Sequence, residues 1–181
     1  MYTSPSATER EDDDPTIKSQ PTKLEEYFFP AHRLKSRLDD ETKEPLAIIA
    51  CGSFSPITYL HLRIFEMAKD YISEHTQFEI IGGYYSPVSD RYTKDGLAPS
   101  YHRVRMCELA VERTSQWLMV DAWETLQNEY TQTAIVMDHF NEEINNKRGG
   151  IMTTDVPEGQ NHAFSRWRSN RIVQGSKALV G

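Results

Sequence analysis

Residues 46–65, LAIIACGSFSPITYLHLRIF, constrain the fold more than any other stretch, because a strand, a tight turn and a helix start follow one another there without a spacer. Leu46, Ala47, Ile48, Ile49, Ala50 and Cys51 form an unbroken apolar run. The run is too short for a buried helix and has no polar alternation, which is the pattern of a strand covered on both faces. Gly52 lets the backbone turn or approach a ligand closely, and Pro56 fixes φ and withholds a donor, so residues 52–58 cannot extend the strand. Leu60, Ile64, Met67, Ala68 and Tyr71 then recur at helical spacing, which puts Thr58 and His61 at a helix N-terminus. Free backbone N–H groups and the positive end of the helix dipole favour an anion there, and the histidine adds a donor. Taken alone this is a weak signal: most βα turns hold Gly, Ser and Pro, and a single first-turn histidine commonly caps its helix or faces water.

The same alternation continues along the chain. Residues 78–85 (FEIIGGYY) read as a second strand, in which Gly82 and Gly83 let a ligand or a neighbouring backbone come close. Residues 86–99 (SPVSDRYTKDGLAP) are a loop by composition, longer than a plain βα connection and of a length that often serves function. Tyr101, Val104, Cys107 and Val111 mark a helix face after Pro99. Residues 117–120 (WLMV) give a third strand, and Thr133, Met137, Phe140 and Ile144 give a third helix that ends at Gly149 and Gly150. Strand and helix alternating three times imply an α/β fold: a parallel, right-handed, doubly wound sheet with ligands at the carboxyl ends of the strands.

Composition narrows the function classes. At 181 residues the chain suits one α/β domain with a proper core. A net charge of -7 argues against a general nucleic-acid binder, whereas a single nucleotide needs only local positive charge. The two cysteines, Cys51 and Cys107, read as core residues rather than a disulfide or metal site. No apolar run approaches membrane-spanning length, and the start MYTSPSATEREDDDP lacks the pattern of a secretory signal. The expectation is a nuclear or cytoplasmic protein with neither nucleic acid nor membrane as partner. Residues 1–44, rich in Ser, Thr, Pro and charge, read as a disordered extension, within which Leu24, Tyr27, Phe28, Leu34 and Leu38 form at most short transient helices.

The full string GSFSPITYLHL resembles the signature of the nucleotidyltransferase superfamily, Gly-x-Phe-x-Pro-x-[His/Thr]-x-x-His. It is most similar to that of the eukaryotic, fungal-like nicotinamide mononucleotide adenylyltransferases, which carry Thr where bacterial relatives have the first His; Thr58 and His61 match that form. The resemblance implies a Rossmann-like nucleotidyltransferase fold. It implies transfer of AMP from ATP to nicotinamide mononucleotide, or to nicotinate mononucleotide, giving NAD and pyrophosphate. Mg²⁺ or another divalent cation would be held mainly by the ATP phosphates, and the full-length family is homo-oligomeric. By the same resemblance His61 is catalytic and contacts ATP phosphate. The backbone of Gly52, Ser53 and Phe54 lines the dinucleotide, Lys94 lies near the phosphates and Tyr92 borders the site. Trp123, Tyr130 and Thr133 match the segment that stacks on and hydrogen-bonds the nicotinamide, with Tyr130 where animal relatives have Trp. Read from the residues alone, Lys94 is an ordinary loop lysine and the aromatics are core. Asp90, Asp121 and Glu124 form no assigned metal site, since Mg²⁺ is normally held by phosphates and water.

The resemblance covers about residues 45–150 and is carried further by SPVSDRYTKDGL and DAWETLQ, which argue against a pantetheine-phosphate or choline-phosphate type of nucleotidyltransferase. The family's second half, including a strand with a Gly-Asp-type turn and a late Ser-Ser-Thr-x-x-Arg helix start, is not recognised. Residues 151–181 read as an unrelated, poorly structured tail. The expected fold is therefore incomplete, three βα units from a truncated or mis-spliced gene product, and the isolated chain is expected to be barely active and marginally stable. The alternative reading is a catalytically dead nucleotide-binding or interaction protein derived from the family.

Overall fold

The apolar run at the start of the motif becomes the strand on which the rest of the sheet assembles. In the computed structural model, which describes residues 19–155, 164–168 and 171–174, this strand is β1 (Glu44–Gly52). It pairs in parallel with β2 (Phe78–Pro87) along one edge. The connection is α1 (Tyr59–His75). Chain then passes through α2 (Ser100–Thr114) to β3 (Leu118–Val120), which pairs in parallel with β2. After α3 (Thr133–Asn141), which runs on as a π-helical turn over Glu142–Lys147, β4 (Ile151–Asp155) and β5 (Phe164–Arg168) form an antiparallel pair. The last described strand, β6 (Arg171–Gln174), returns to the free edge of β1 in parallel. The order β3-β2-β1-β6 reverses direction beyond β1, so the sheet is parallel and doubly wound as expected.

Side-chain alternation along the strands builds a core on each face. Leu46, Ile48, Tyr85, Leu118 and Val120 pack against Phe65 of α1 and Val104, Cys107 and Val111 of α2. Ala47, Ile49, Ile81, Tyr84 and Met119 pack against Val136, Phe140 and Ile144 on the opposite face. A register shift between Leu46 and Ala47 inserts Ile81 as an extra residue in β2, and therefore Ile81 and Tyr84 share a face despite their odd spacing. Gly82 and Gly83 accommodate core side chains rather than a ligand. A Cβ on Gly83 would lie 2.5 Å from Leu118 Cδ2 and 2.6 Å from Trp117 Cζ3. Both cysteines are free, and burial pushes each thiol up to about 12, as befits core residues. No described helix is long and apolar enough to cross a membrane.

Three expectations require correction. The apolar spacing in α1 identified a helix but not its buried face: Leu60, Met67 and Tyr71 are exposed, and Phe65, with Leu62, Ala68 and Ile72 beside it, faces the sheet. Residues 19–44 are not a disordered extension. Phe29 and Leu38 are buried among Tyr84, Phe140 and Ile151. Arg33 donates to the carbonyls of Val111 and Leu118, and Lys35 pairs with Glu79. The expected disorder of residues 1–18 lies outside the described residues. Finally, residues after 150 are not merely a poorly structured tail, because Arg171–Gln174 satisfies the second edge of a strand too apolar to leave unpaired. Arg171 pairs with Glu44 at the amino end of β1, the end opposite the motif.

If the amino-terminal segment is part of the core, Phe29→Ala lowers the unfolding free energy in denaturant titration by about 3–5 kcal/mol. A change within about 0.5 kcal/mol is what a residue outside the core would give.

Candidate functional site

Because β1, β2 and β3 are parallel, the loops that follow them gather at one edge of the sheet, and every residue expected to touch a nucleotide lies in or next to these loops. After β1 the chain turns through Phe54, which has a φ of 41°. Its ring is buried edge-on against His61 (centroids 5.3 Å apart) and Tyr85 (5.1 Å). Gly52 is required here for a steric reason: a Cβ would sit 2.9 Å from Phe54 Cζ. The Gly–Phe pair thus folds the turn back on itself and delivers Thr58 as the residue before α1.

His61 caps its helix, as the blander reading supposed, and the way it does so prepares it for another role. The Thr58 backbone N–H donates to His61 Nδ1 at 2.9 Å, and the Thr58 hydroxyl lies 2.7 Å from the same nitrogen. With Nδ1 accepting, the proton of the neutral ring resides on Nε2, which becomes a donor at the first turn of a helix. Burial holds the imidazolium below the usual histidine range, so the ring is neutral at physiological pH.

Two further loops are fastened to this turn. Lys94 Nζ donates to Ser53 Oγ at 3.1 Å, and the Ala98 N–H donates to Ser55 Oγ at 3.0 Å. Beneath them Arg103, with no exposed surface, donates to the carbonyls of Ala98 (2.7 Å), Ser53 (3.0 Å) and Val88 (2.7 Å) and to Asp90 (2.9 Å). Burial works against the Asp90 charge, but hydrogen bonds from Ser100 and Arg103 outweigh it and hold the carboxyl below the usual range. Arg103 was not found by sequence reasoning, since an arginine in the first turn of a polar-looking helix reads as solvated.

The aromatic residues form the other end of the site. Tyr92 and Tyr130, both exposed, stack across two loops with centroids 6.1 Å apart. Trp123 does not face them in a pair of its own; its indole stacks on His139 of α3 at 4.1 Å and 7°. Thr133 is the first residue of α3 and is half-buried. The site thus divides into a donor-rich part, Ser53, His61 and Lys94, and an aromatic part, Tyr92, Trp123 and Tyr130.

The acids near this edge are already engaged. Asp90 holds Arg103 and Ser100, Asp121 accepts from Tyr27 and lies 3.1 Å from His139 Nε2, and Glu124 accepts from Ser86 at 3.0 Å. Burial pushes the Glu124 carboxyl up to about 7. Among the described residues no group of three His, Cys, Asp or Glu side chains is placed to hold a metal ion. A Mg²⁺ that keeps its waters and binds substrate phosphates needs no such group.

Comparison with known proteins points the same way. The family model described as cytidylyltransferase-like matches residues 49–169, past the position near 150 at which the resemblance was expected to stop. The chain is 70% identical over 140 residues to nicotinamide/nicotinic acid mononucleotide adenylyltransferase 2 of Saccharomyces cerevisiae, covering 77% of this chain and 35% of that protein. It is 66% identical over 139 residues to the corresponding adenylyltransferase of Schizosaccharomyces pombe, covering 77% and 38%. To adenylyltransferase 1 of Bos taurus it is 48% identical over 107 residues, covering 59% and 38%. The chain therefore spans little more than a third of the length of these relatives.

The geometry of the first turn sets an expectation for His61. A histidine held below its ordinary value of 6.5 makes stability fall as pH drops from 6.5 through the folded pKa, because the unfolded chain takes up the proton first. NMR titration should give His61 an inflection below 6.5 and, at neutral pH, a proton on Nε2. An inflection above 6.5 would contradict the burial and hydrogen bonding described.

Proposed function

The chain belongs to the cytidylyltransferase-like family, and we propose that the protein transfers the AMP moiety of ATP to nicotinamide mononucleotide or nicotinate mononucleotide. The observation that carries this reading is the hydrogen bonding of His61: its Nδ1 accepts from the Thr58 N–H, which puts the proton of the neutral ring on Nε2 at the N-terminus of α1. That is an arrangement for binding a phosphate, not for removing a proton.

In the proposed reaction an oxygen of the mononucleotide phosphate attacks the α-phosphorus of ATP. The new P–O–P bond forms as the bond from the α-phosphorus to the bridging oxygen of the β-phosphate breaks, and pyrophosphate leaves with the electron pair. The attacking oxygen is already ionised, so the protein needs no base; its part is in-line placement and charge stabilisation. His61 Nε2–H and Lys94 donate to phosphate oxygens, Lys94 being held to the turn after β1 by Ser53. Arg103 keeps that turn and the 88–98 loop at fixed separation. Trp123 and Tyr130 offer flat faces suited to an electron-poor pyridine ring. A divalent cation, Mg²⁺ by expectation, would arrive on the ATP phosphates and neutralise charge there.

The test supplies ATP, Mg²⁺ and nicotinamide mononucleotide and follows NAD and pyrophosphate, with calorimetry for each nucleotide. Formation of the two products one for one supports the reading; the absence of both turnover and binding of either nucleotide overturns it. His61→Ala should lower turnover by about 10²–10³, the usual loss for one fixed donor to developing phosphate charge. Lys94→Ala should weaken ATP binding with a melting temperature close to that of the parent, since an exposed loop lysine adds little to the core. A melting-temperature loss like that of a core deletion would place Lys94 in a structural role instead.

A further inference from the structure

Trp123 is held from three directions, and two of these trace back to one hydroxyl in the amino-terminal segment. Its backbone N–H donates to Asp121 Oδ1 at 3.3 Å, and its carbonyl accepts from Gln127 Nε2 at 2.8 Å. Its indole lies flat on the His139 ring. His139 is fixed in turn, its Nε2 being 3.1 Å from Asp121 Oδ2 and 3.0 Å from the Tyr27 hydroxyl. That hydroxyl donates to Asp121 Oδ1 at 2.9 Å and closes a triangle. Asp121 is almost wholly buried, with a side-chain exposure of 1%, and His139 is nearly so at 7%. With its proton on Nε2, His139 donates to Asp121 and to the Tyr27 oxygen, so each polar atom of the triangle is satisfied.

We propose that Tyr27 is a positioning residue for the pyridine-ring end of the site: through Asp121 and His139 it sets the plane of Trp123 and so the affinity for the mononucleotide. The inference deepens the function proposed above and rests on it. Tyr27 precedes residues 49–169, so the family match does not reach it. His139 covers one face of the indole and so sets the plane that the ring presents at the carboxyl edge of the sheet. Removing the Tyr27 hydroxyl leaves the buried Asp121 carboxylate short of a donor. The carboxylate then draws the Trp123 N–H and the His139 Nε2–H towards itself, which tilts the indole while the phosphate-binding turn stays as it is.

The experiment uses the whole chain, with Tyr27→Phe, which keeps the ring and removes only the hydroxyl, and His139→Phe, which keeps a stacking face without the hydrogen bonds. Nicotinamide mononucleotide and ATP are titrated separately by calorimetry, and the His139 ring nitrogens are observed by NMR without ligand. Tyr27→Phe should weaken nicotinamide mononucleotide binding about five- to tenfold, with ATP binding within about twofold of the parent, and should shift the His139 Nε2 resonance. His139→Phe should show the same split between the two nucleotides. An equal loss for both nucleotides marks a general structural role and overturns the proposal, as does unchanged mononucleotide affinity. If the parent protein binds no mononucleotide, the function reading has failed. The ligand-free spectrum then still decides whether Tyr27 orders the platform, and an unshifted His139 resonance overturns that as well.

Discussion

The carboxyl edge of the sheet depends on the buried guanidinium of Arg103. A charge without exposed surface costs several kcal/mol to desolvate unless its donors are met, and here they are met by three carbonyls and a carboxylate from the segments that must converge to make a site. The carbonyls belong to Ser53 in the turn after β1 and to Val88 and Ala98 at the two ends of the loop after β2. One side chain from α2 therefore spans both loops. The planar fork of the guanidinium matters as much as its charge, since a lysine ammonium has neither the number nor the spacing of donors for four fixed acceptors.

With that frame in place, small local features acquire chemical meaning. Lys94 reaches Ser53 because both ends of its loop are anchored, and His61 shows a donor because Thr58 occupies its other nitrogen. The protein as a whole is acidic, at -7, yet the turn after β1 gathers a helix N-terminus, an imidazole N–H and an ammonium. A local concentration of donors of this kind suits the phosphates of a single nucleotide.

The amino-terminal segment and the strand Arg171–Gln174 close one face and the open edge of this sheet. Phe29 and Leu38 cover one face together with α3, Arg33 and Lys35 tie the segment to α2, β2 and β3, and Arg171–Gln174 pairs with β1. Tyr27 makes the segment more than a cover, because it joins the hydrogen-bonded triangle behind Trp123.

The sequence by itself determined the alternation of strand and helix, the parallel doubly wound class and the place of the turn. These depend on signals contained within about twenty residues: the apolar run 46–51, the break at Gly52 and Pro56, and the helical period that follows. The candidate residues His61, Lys94, Trp123 and Tyr130 were picked out by resemblance, since a long string of fixed spacing is itself local information. Only the tertiary structure decided which face of α1 is buried, for Leu60, Met67 and Tyr71 share the same helical period as the inward side chains, and packing chose Phe65. It also decided what Arg103, Tyr27 and residues 171–174 do. Their partners are far away in the chain, their side chains are polar or their segments short, and nothing local distinguishes them from solvated residues. Burial gives such groups their roles, because only where water is excluded does an unmet hydrogen bond cost enough to fix one side chain against another.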